Sequence, residues 1–214
     1  MSGLDRFLSL DVESTGTDPL EARIVELGLC EFVLDNGQLQ RVKPLAKLFN
    51  PGVPISKSAS NVHGITDAHV KDKPLFRESA AKFVQYLQGR VVVGYNFFHF
   101  DGPLMKAEFA RCGIPRPFDG VAIVDVYPYV REDYGSKRRP QSKSLGDQCA
   151  WWGVHLDKAH SAAHDAESTG RLLLAMQSWP GAKPTVPWEL ETILEQQKRF
   201  REELDRPVQV EIGV

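Results

Sequence analysis

The sequence predicts an α/β fold in which a mixed sheet is flanked by helices. Two observations carry this. Residues 7–49 read as an antiparallel meander of strands, and residues 75–126 then alternate helical spacing with short β-branched runs. With 214 residues, of which 42% are hydrophobic and 25% charged, the chain has apolar material for one core of ordinary size. That balance excludes disordered and fibrous chains.

Each element has its own signal. Phe7 to Glu13 alternates, with Leu8, Leu10 and Val12 facing one way and Ser9, Asp11 and Glu13 the other. Ile24 to Leu34 is a second apolar run, Asp35-Asn36-Gly37 is a hairpin turn signal, and Gln38 to Phe49 returns as a third strand. Asn50 to Ile55 carries two prolines and a glycine and reads as a loop. Leu75 to Gln88 places Phe76, Ala80, Phe83, Val84 and Leu87 at helical spacing. Arg90 to Gly94 is a short buried strand. Leu104, Met105, Glu108, Phe109 and Cys112 mark a helix closed by Gly113, and Val121 to Val126 reads as another strand. Ala162 to Met176 is helical. Trp188 to Leu204 forms a last helix that closes the core or faces a partner. The expected division is a domain over residues 1–179 and a C-terminal helical extension over 180–214, packed on the domain or at an interface.

Composition narrows the function classes. No apolar run reaches bilayer-spanning length, and the N-terminus lacks a secretory pattern, so a cytoplasmic protein without membrane contact is expected. Cys30, Cys112 and Cys149 lie far apart without metal-ligand spacing and read as reduced thiols. Lysines and arginines number 26 against 28 acids, net −2, which taken alone argues against a general polyanion binder.

The acids are the chemical signal. Asp11 and Glu13 leave one strand face at period two, so they mark either a solvated edge or a hard-metal site. Asp101 and Asp165 open helices, where a first-turn aspartate needs no function. Together the four form a carboxylate-only set, which selects Mg²⁺ or Mn²⁺. The competing zinc reading uses His155, His160 and His164, and leaves the carboxylates unexplained. Tyr134 to Ser144 is a basic loop carrying Lys137, Arg138, Arg139 and Lys143. It is either a solvated loop or a contact for phosphates.

The motifs resemble those of the DnaQ-like 3′–5′ exonucleases of the DEDDh type. Asp11-Val12-Glu13-Ser14-Thr15-Gly16 is similar to their first motif and Asn96 to Asp101 to the second. His160 to Asp165 is similar to the third, and Asn61 to Thr66 to a His-Gly-Ile-Thr signature. The five-residue step from Asn96 to Asp101, the Asp101-Gly102-Pro103 that follows, and Ser144-Leu145-Gly146 look like TREX-type DNA exonucleases and bacterial exonuclease I.

The resemblance implies a ribonuclease H-like fold, with three antiparallel strands followed by parallel ones. It implies two Mg²⁺ or Mn²⁺ ions. Asp11, Glu13 and Asp165 would hold one, and Asp11 and Asp101 the other, with His160 as general base. Thr15 and Gly16 would lie near a terminal sugar, and His63 and Ile65 near a terminal base. Ile65 and Phe100 would meet that base or belong to the core, and Asn96 would contact substrate. The implied activity releases nucleoside 5′-monophosphates from the 3′ end of DNA, with RNA as the alternative substrate. A catalytically silent nucleic-acid scaffold is the reading from another class. Homodimerisation or association with a polymerase stays open. With four acids assigned to metal, the remainder is 26 basic against 28 − 4 = 24 acidic residues. That is no broad basic surface, and it predicts distributive digestion.

Overall fold

Apolar alternation makes β1 (Arg6–Ser14) the middle of the sheet. The computed structural model describes residues 4–35, 38–41, 43–131, 142–156, 160–178, 187 and 189–208. β1 pairs antiparallel with β2 (Ile24–Asp35) along its whole length, with Asp11 opposite Gly28 and Glu13 opposite Glu26. β2 pairs in turn with β3 (Gln38–Arg41) and β4 (Leu45–Leu48). The sequence predicts one strand over Gln38 to Phe49. The structure breaks it in two, and Pro44 at the break has no N–H to give the ladder. The Asn36-Gly37 part of the turn signal lies outside the described residues.

Two short helices follow, α1 (Lys57–His63) and α2 (Asp67–Val70), then α3 (Arg77–Leu87). β5 (Val91–Gly94) enters parallel to β1, and α4 (Asp101–Arg111) leads to β6 (Ala122–Asp125), parallel to β5. α5 (Tyr127–Arg131), α6 (Leu145–Trp152), α7 (Ala162–Gln177) and α8 (Leu190–Asp205) complete the chain. The strand order is β3-β2-β1-β5-β6, with β4 also on β2, so among the described residues β6 is an edge.

Helices cover both faces. On one, Leu8, Leu10 and Val12 pack with Phe76, Leu104, Met105 and Phe109 of the α3–α4 layer. On the other, Phe7 stacks on Phe32 at 4.8 Å beneath Leu172, Leu173 and Met176 of α7. α8 contributes Ile193 and Leu204, both buried, one to each cluster. Trp152 packs against the α7-side cluster, whereas Trp151 is exposed. No helix among the described residues is long and apolar enough to cross a membrane.

Candidate active site

The site lies where β1 ends, and β2 explains why α7 reaches it. A side chain at Gly28 would place its Cβ 2.0 Å from the backbone carbonyl of Ala162, so only glycine lets the start of α7 lie against the strand. Two residues earlier, Glu26 Oε2 accepts the Ala162 N–H at 2.9 Å, which satisfies a free donor at the helix N-terminus. Asp165 thereby comes down on Asp11 and Glu13. One carboxylate oxygen from each of these three acids lies within 4.8 Å of the others. His160 precedes the helix with φ of 62°, a left-handed conformation uncommon for a non-glycine residue. Its N–H donates to Asp165 Oδ2 at 2.9 Å, and its side chain is exposed.

Asp101 arrives from the opposite layer. Between β5 and α4 the chain turns at Asn96, whose φ is 60°. The buried Asp125 carboxylate holds that turn. Its Oδ1 accepts from the N–H of Asn96 at 2.8 Å and of Tyr127 at 3.0 Å, and its Oδ2 from Phe98 at 3.1 Å. Asp101 then opens α4 and lines the same cleft as Asp11, close enough for its charge to act on that carboxyl.

These acids repel one another in a desolvated pocket. Burial first, then Asp101, Glu13, Asp165 and Glu26, push the Asp11 carboxyl well above its usual range. Burial and Asp125 do the same to Asp101. Glu13 is pushed up to about 8 by burial, Asp165 and Glu26. Asp165 is raised by burial, with the His160 N–H opposing. Asp125 is raised to about 6 by burial, against its three backbone donors. Among the described residues none of the four acids pairs with a lysine or arginine. Desolvated, converging carboxylates without a counter-cation fit hard divalent ions.

Of the other residues singled out in the sequence, Asn96, Phe100, Lys143 and His160 line one cleft of about 450 Å³ together with the acids. Tyr95 lines it too, and its hydroxyl donates to the Lys143 carbonyl at 2.6 Å. His63 sits behind Ser14. Its Nδ1 accepts the Ile65 N–H at 3.0 Å, so the ring is neutral and Nε2–H donates to the Ser14 carbonyl at 3.1 Å. Burial lowers its pKa, in keeping with that form. Ile65 does not join the cleft. It is buried in a small cluster with Val25, Ile55 and Val70. Thr15 is buried, and its backbone N–H and C=O are engaged by Arg23 and Ser56. Gly16 follows it, half-buried, and its carbonyl accepts the Ser14 hydroxyl. Lys137, Arg138 and Arg139 lie outside the described residues.

The three histidines of the zinc reading are not brought together. His160 lines the acidic cleft, whereas His155 and His164 line another pocket. Sequence reasoning missed Glu26 and Asp125. An acid at the end of an apolar run marks Asp125. Nothing along the chain marks Glu26, because only strand pairing sets it opposite Glu13.

A mixed sheet whose middle strand brings two carboxylates into an acidic cluster able to hold a metal ion has the architecture of a ribonuclease H-like nuclease. Residues 8–173 match the RNase T-type exonuclease family model, and the chain belongs to this DnaQ-like DEDDh exonuclease family. Such exonucleases generally use divalent metal ions. The chain is 30% identical over 167 residues to the PolC-type DNA polymerase III of Streptococcus thermophilus, covering 78% of this chain and 11% of that protein. Its likeness to the PolC-type enzyme of Lactococcus lactis is 30% over 168 residues, covering 78% and 10%. The chain thus spans about a tenth of these curated relatives. Among solved structures, exonuclease I aligns with a TM-score of 0.72 at 18% identity, over 93% of this chain and 45% of that one. Escherichia coli exonuclease I in complex with a dA16 oligonucleotide gives 0.67 at 18%, over 82% and 41%. At these identities the structural likeness establishes the fold.

Proposed function

We propose that this chain is a metal-dependent 3′–5′ exonuclease that releases nucleoside 5′-monophosphates from single-stranded or frayed DNA ends. The observation that carries it is the three-carboxylate cluster within 4.8 Å, with an exposed histidine tied by its backbone to one member. Asp11, Glu13 and Asp165 would hold one Mg²⁺ or Mn²⁺, and Asp11 and Asp101 the second. When bound, the ions supply positive charge for the attacking and leaving oxygens of the phosphodiester. His160 takes the proton of the attacking water, and its exposed ring leaves room to reach it. Phe100 offers a stacking surface and Lys143 a positive charge at the cleft. Asn96 orients the strand beside them.

DNA is favoured because the PolC-type relatives are DNA polymerases and an exonuclease I neighbour holds a deoxyoligonucleotide. Association with a polymerase and a cytoplasmic setting belong to the same reading, as does a catalytic domain over 1–179 extended by 180–214. Digestion is distributive. With four acids assigned to metal, 26 basic residues stand against 28 − 4 = 24 acidic ones, which is no broad basic surface to hold a strand through many steps.

The test uses 5′-labelled single-stranded DNA, duplex DNA and RNA, each with Mg²⁺, Mn²⁺ or EDTA. Laddering from the 3′ end of DNA that disappears with EDTA and in Asp11→Ala supports the proposal. Activity untouched by Asp11→Ala overturns it. Preference for RNA would move the substrate class, and long digestion products in the presence of trap DNA would overturn distributive action.

A further inference from the structure

We infer that helix α8, which lies beyond the family-matched residues 8–173, sets the position of Asp101, with Gln197 as its positioning residue. The inference rests on the reading of Asp101 as a metal ligand.

Gln197 is buried, and its amide meets the free edge of β6 as a neighbouring strand would. Its Oε1 accepts the Asp125 N–H at 2.8 Å and its Nε2 donates to the Asp125 carbonyl at 2.7 Å. Asp125 is the residue whose carboxylate gathers the Asn96 and Phe98 N–H groups, so the amide fixes the base of the turn that delivers Asp101. The rest of α8 grips the same stretch of chain. Phe200 stacks on Phe98 at 5.8 Å and meets His99 edge-on at 5.6 Å. Leu204 packs on Gly102, where a Cβ would stand 3.1 Å from its Cδ1. The buried Lys106 donates to the carbonyls of Leu204 and Arg206 as the helix ends.

Residues before, beside and after Asp101 are therefore all held by one helix. A carboxylate that must meet a cation to within a few tenths of an ångström is sensitive to such a frame, because partners behind a ligand typically contribute about 10–100-fold in metal affinity or activity.

The test titrates Mn²⁺ into the full chain by calorimetry and by electron paramagnetic resonance. kcat and KM on labelled single-stranded DNA and thermal melting are measured on the same samples. Gln197→Leu removes both amide bonds at nearly constant volume. It is expected to keep one tightly bound Mn²⁺, weaken the second about 10-fold or more, and lower kcat similarly, with KM changed less than about twofold. Gln197→Glu keeps the acceptor but sets a carboxylate oxygen against the Asp125 carbonyl, and should lose at least as much as Gln197→Leu. Should Gln197→Leu fail to fold, Phe200→Leu must show the same split at smaller size. Two Mn²⁺ bound with wild-type affinity and an unchanged kcat in a folded variant would overturn the inference, even if its melting temperature fell. Asp11→Ala separates the two levels. If it loses Mn²⁺ and activity while the Gln197 and Phe200 variants keep both, only the role of α8 fails. If it keeps both, the reading of the site fails.

Discussion

Asp165 and Asp101 reach one acidic centre from opposite layers of the molecule, and they are held there differently. Asp165 stands on α7, whose first turn rests directly on β2 at Gly28 and is capped by Glu26. Asp101 follows a turn gathered by the Asp125 carboxylate, which α8 backs in turn. The first anchor is steric and stays between two elements. The second is polar and passes through a third. Gly28, Glu26 and Asp165 all fall within the family-matched residues, whereas Gln197 does not. A motif can therefore announce a proposed ligand without announcing what holds it.

The largest effect should come from the steric anchor. Gly28→Ala puts a methyl group into the Ala162 backbone, so α7 must lift. We expect nuclease activity to vanish and stability to fall by about 3 kcal/mol or more, beyond ordinary overpacking. An unchanged denaturant midpoint would show that this anchor is not steric. Next comes His160→Ala, which removes the proposed base and leaves both anchors in place. The rate should drop about 10²–10⁴-fold with Mn²⁺ binding preserved. Weakened Mn²⁺ binding would mean that His160 also shapes the Asp165 side.

A third test loads both anchors at once. The raised carboxyls bind protons in the folded state to higher pH than in the unfolded chain. Their stabilisation is complete below the ordinary carboxylate range, near ~4. It is lost as pH rises through the Glu13 value of about 8. In EDTA the melting temperature should fall across that window, and Mn²⁺ should flatten the fall while releasing protons. A flat profile in EDTA would contradict the repulsion. The smallest effect is the control. Lys143→Ala touches neither anchor, and should reduce the salt dependence of DNA binding by about one unit of slope while sparing hydrolysis.

Much of the fold was legible because its periods are clean. Asp11 and Glu13 could be read as a converging pair since period two places them on one strand face. The broken third strand was missed although Pro44 signals it, because apolar residues continue on both sides. α1 buries no residue, so it has no apolar period to read. Its ends are set by the Ser56 cap and the left-handed Gly64. α6 is likewise bounded by Ser144 and Gly153. Glu26 stayed hidden because its role exists only across strands, whereas Asp125 is marked by its place at the end of an apolar run but its partners in the Asn96 turn are not. Ile65 is open in the sequence between base contact and core packing, and Val25 and Val70, which meet it from elsewhere in the chain, decide for the core.

The pairing of Gln197 with the β6 edge has a consequence outside catalysis. An uncovered strand edge presents main-chain donors and acceptors to any passing strand, including that of another copy. At Asp125 one side-chain amide fills both positions, so a second β6 finds nothing there to bond. A chain cut before α8 would present that edge, and self-association through added strands is the expected result, visible as growth in light scattering. The same glutamine would then be a guard against aggregation.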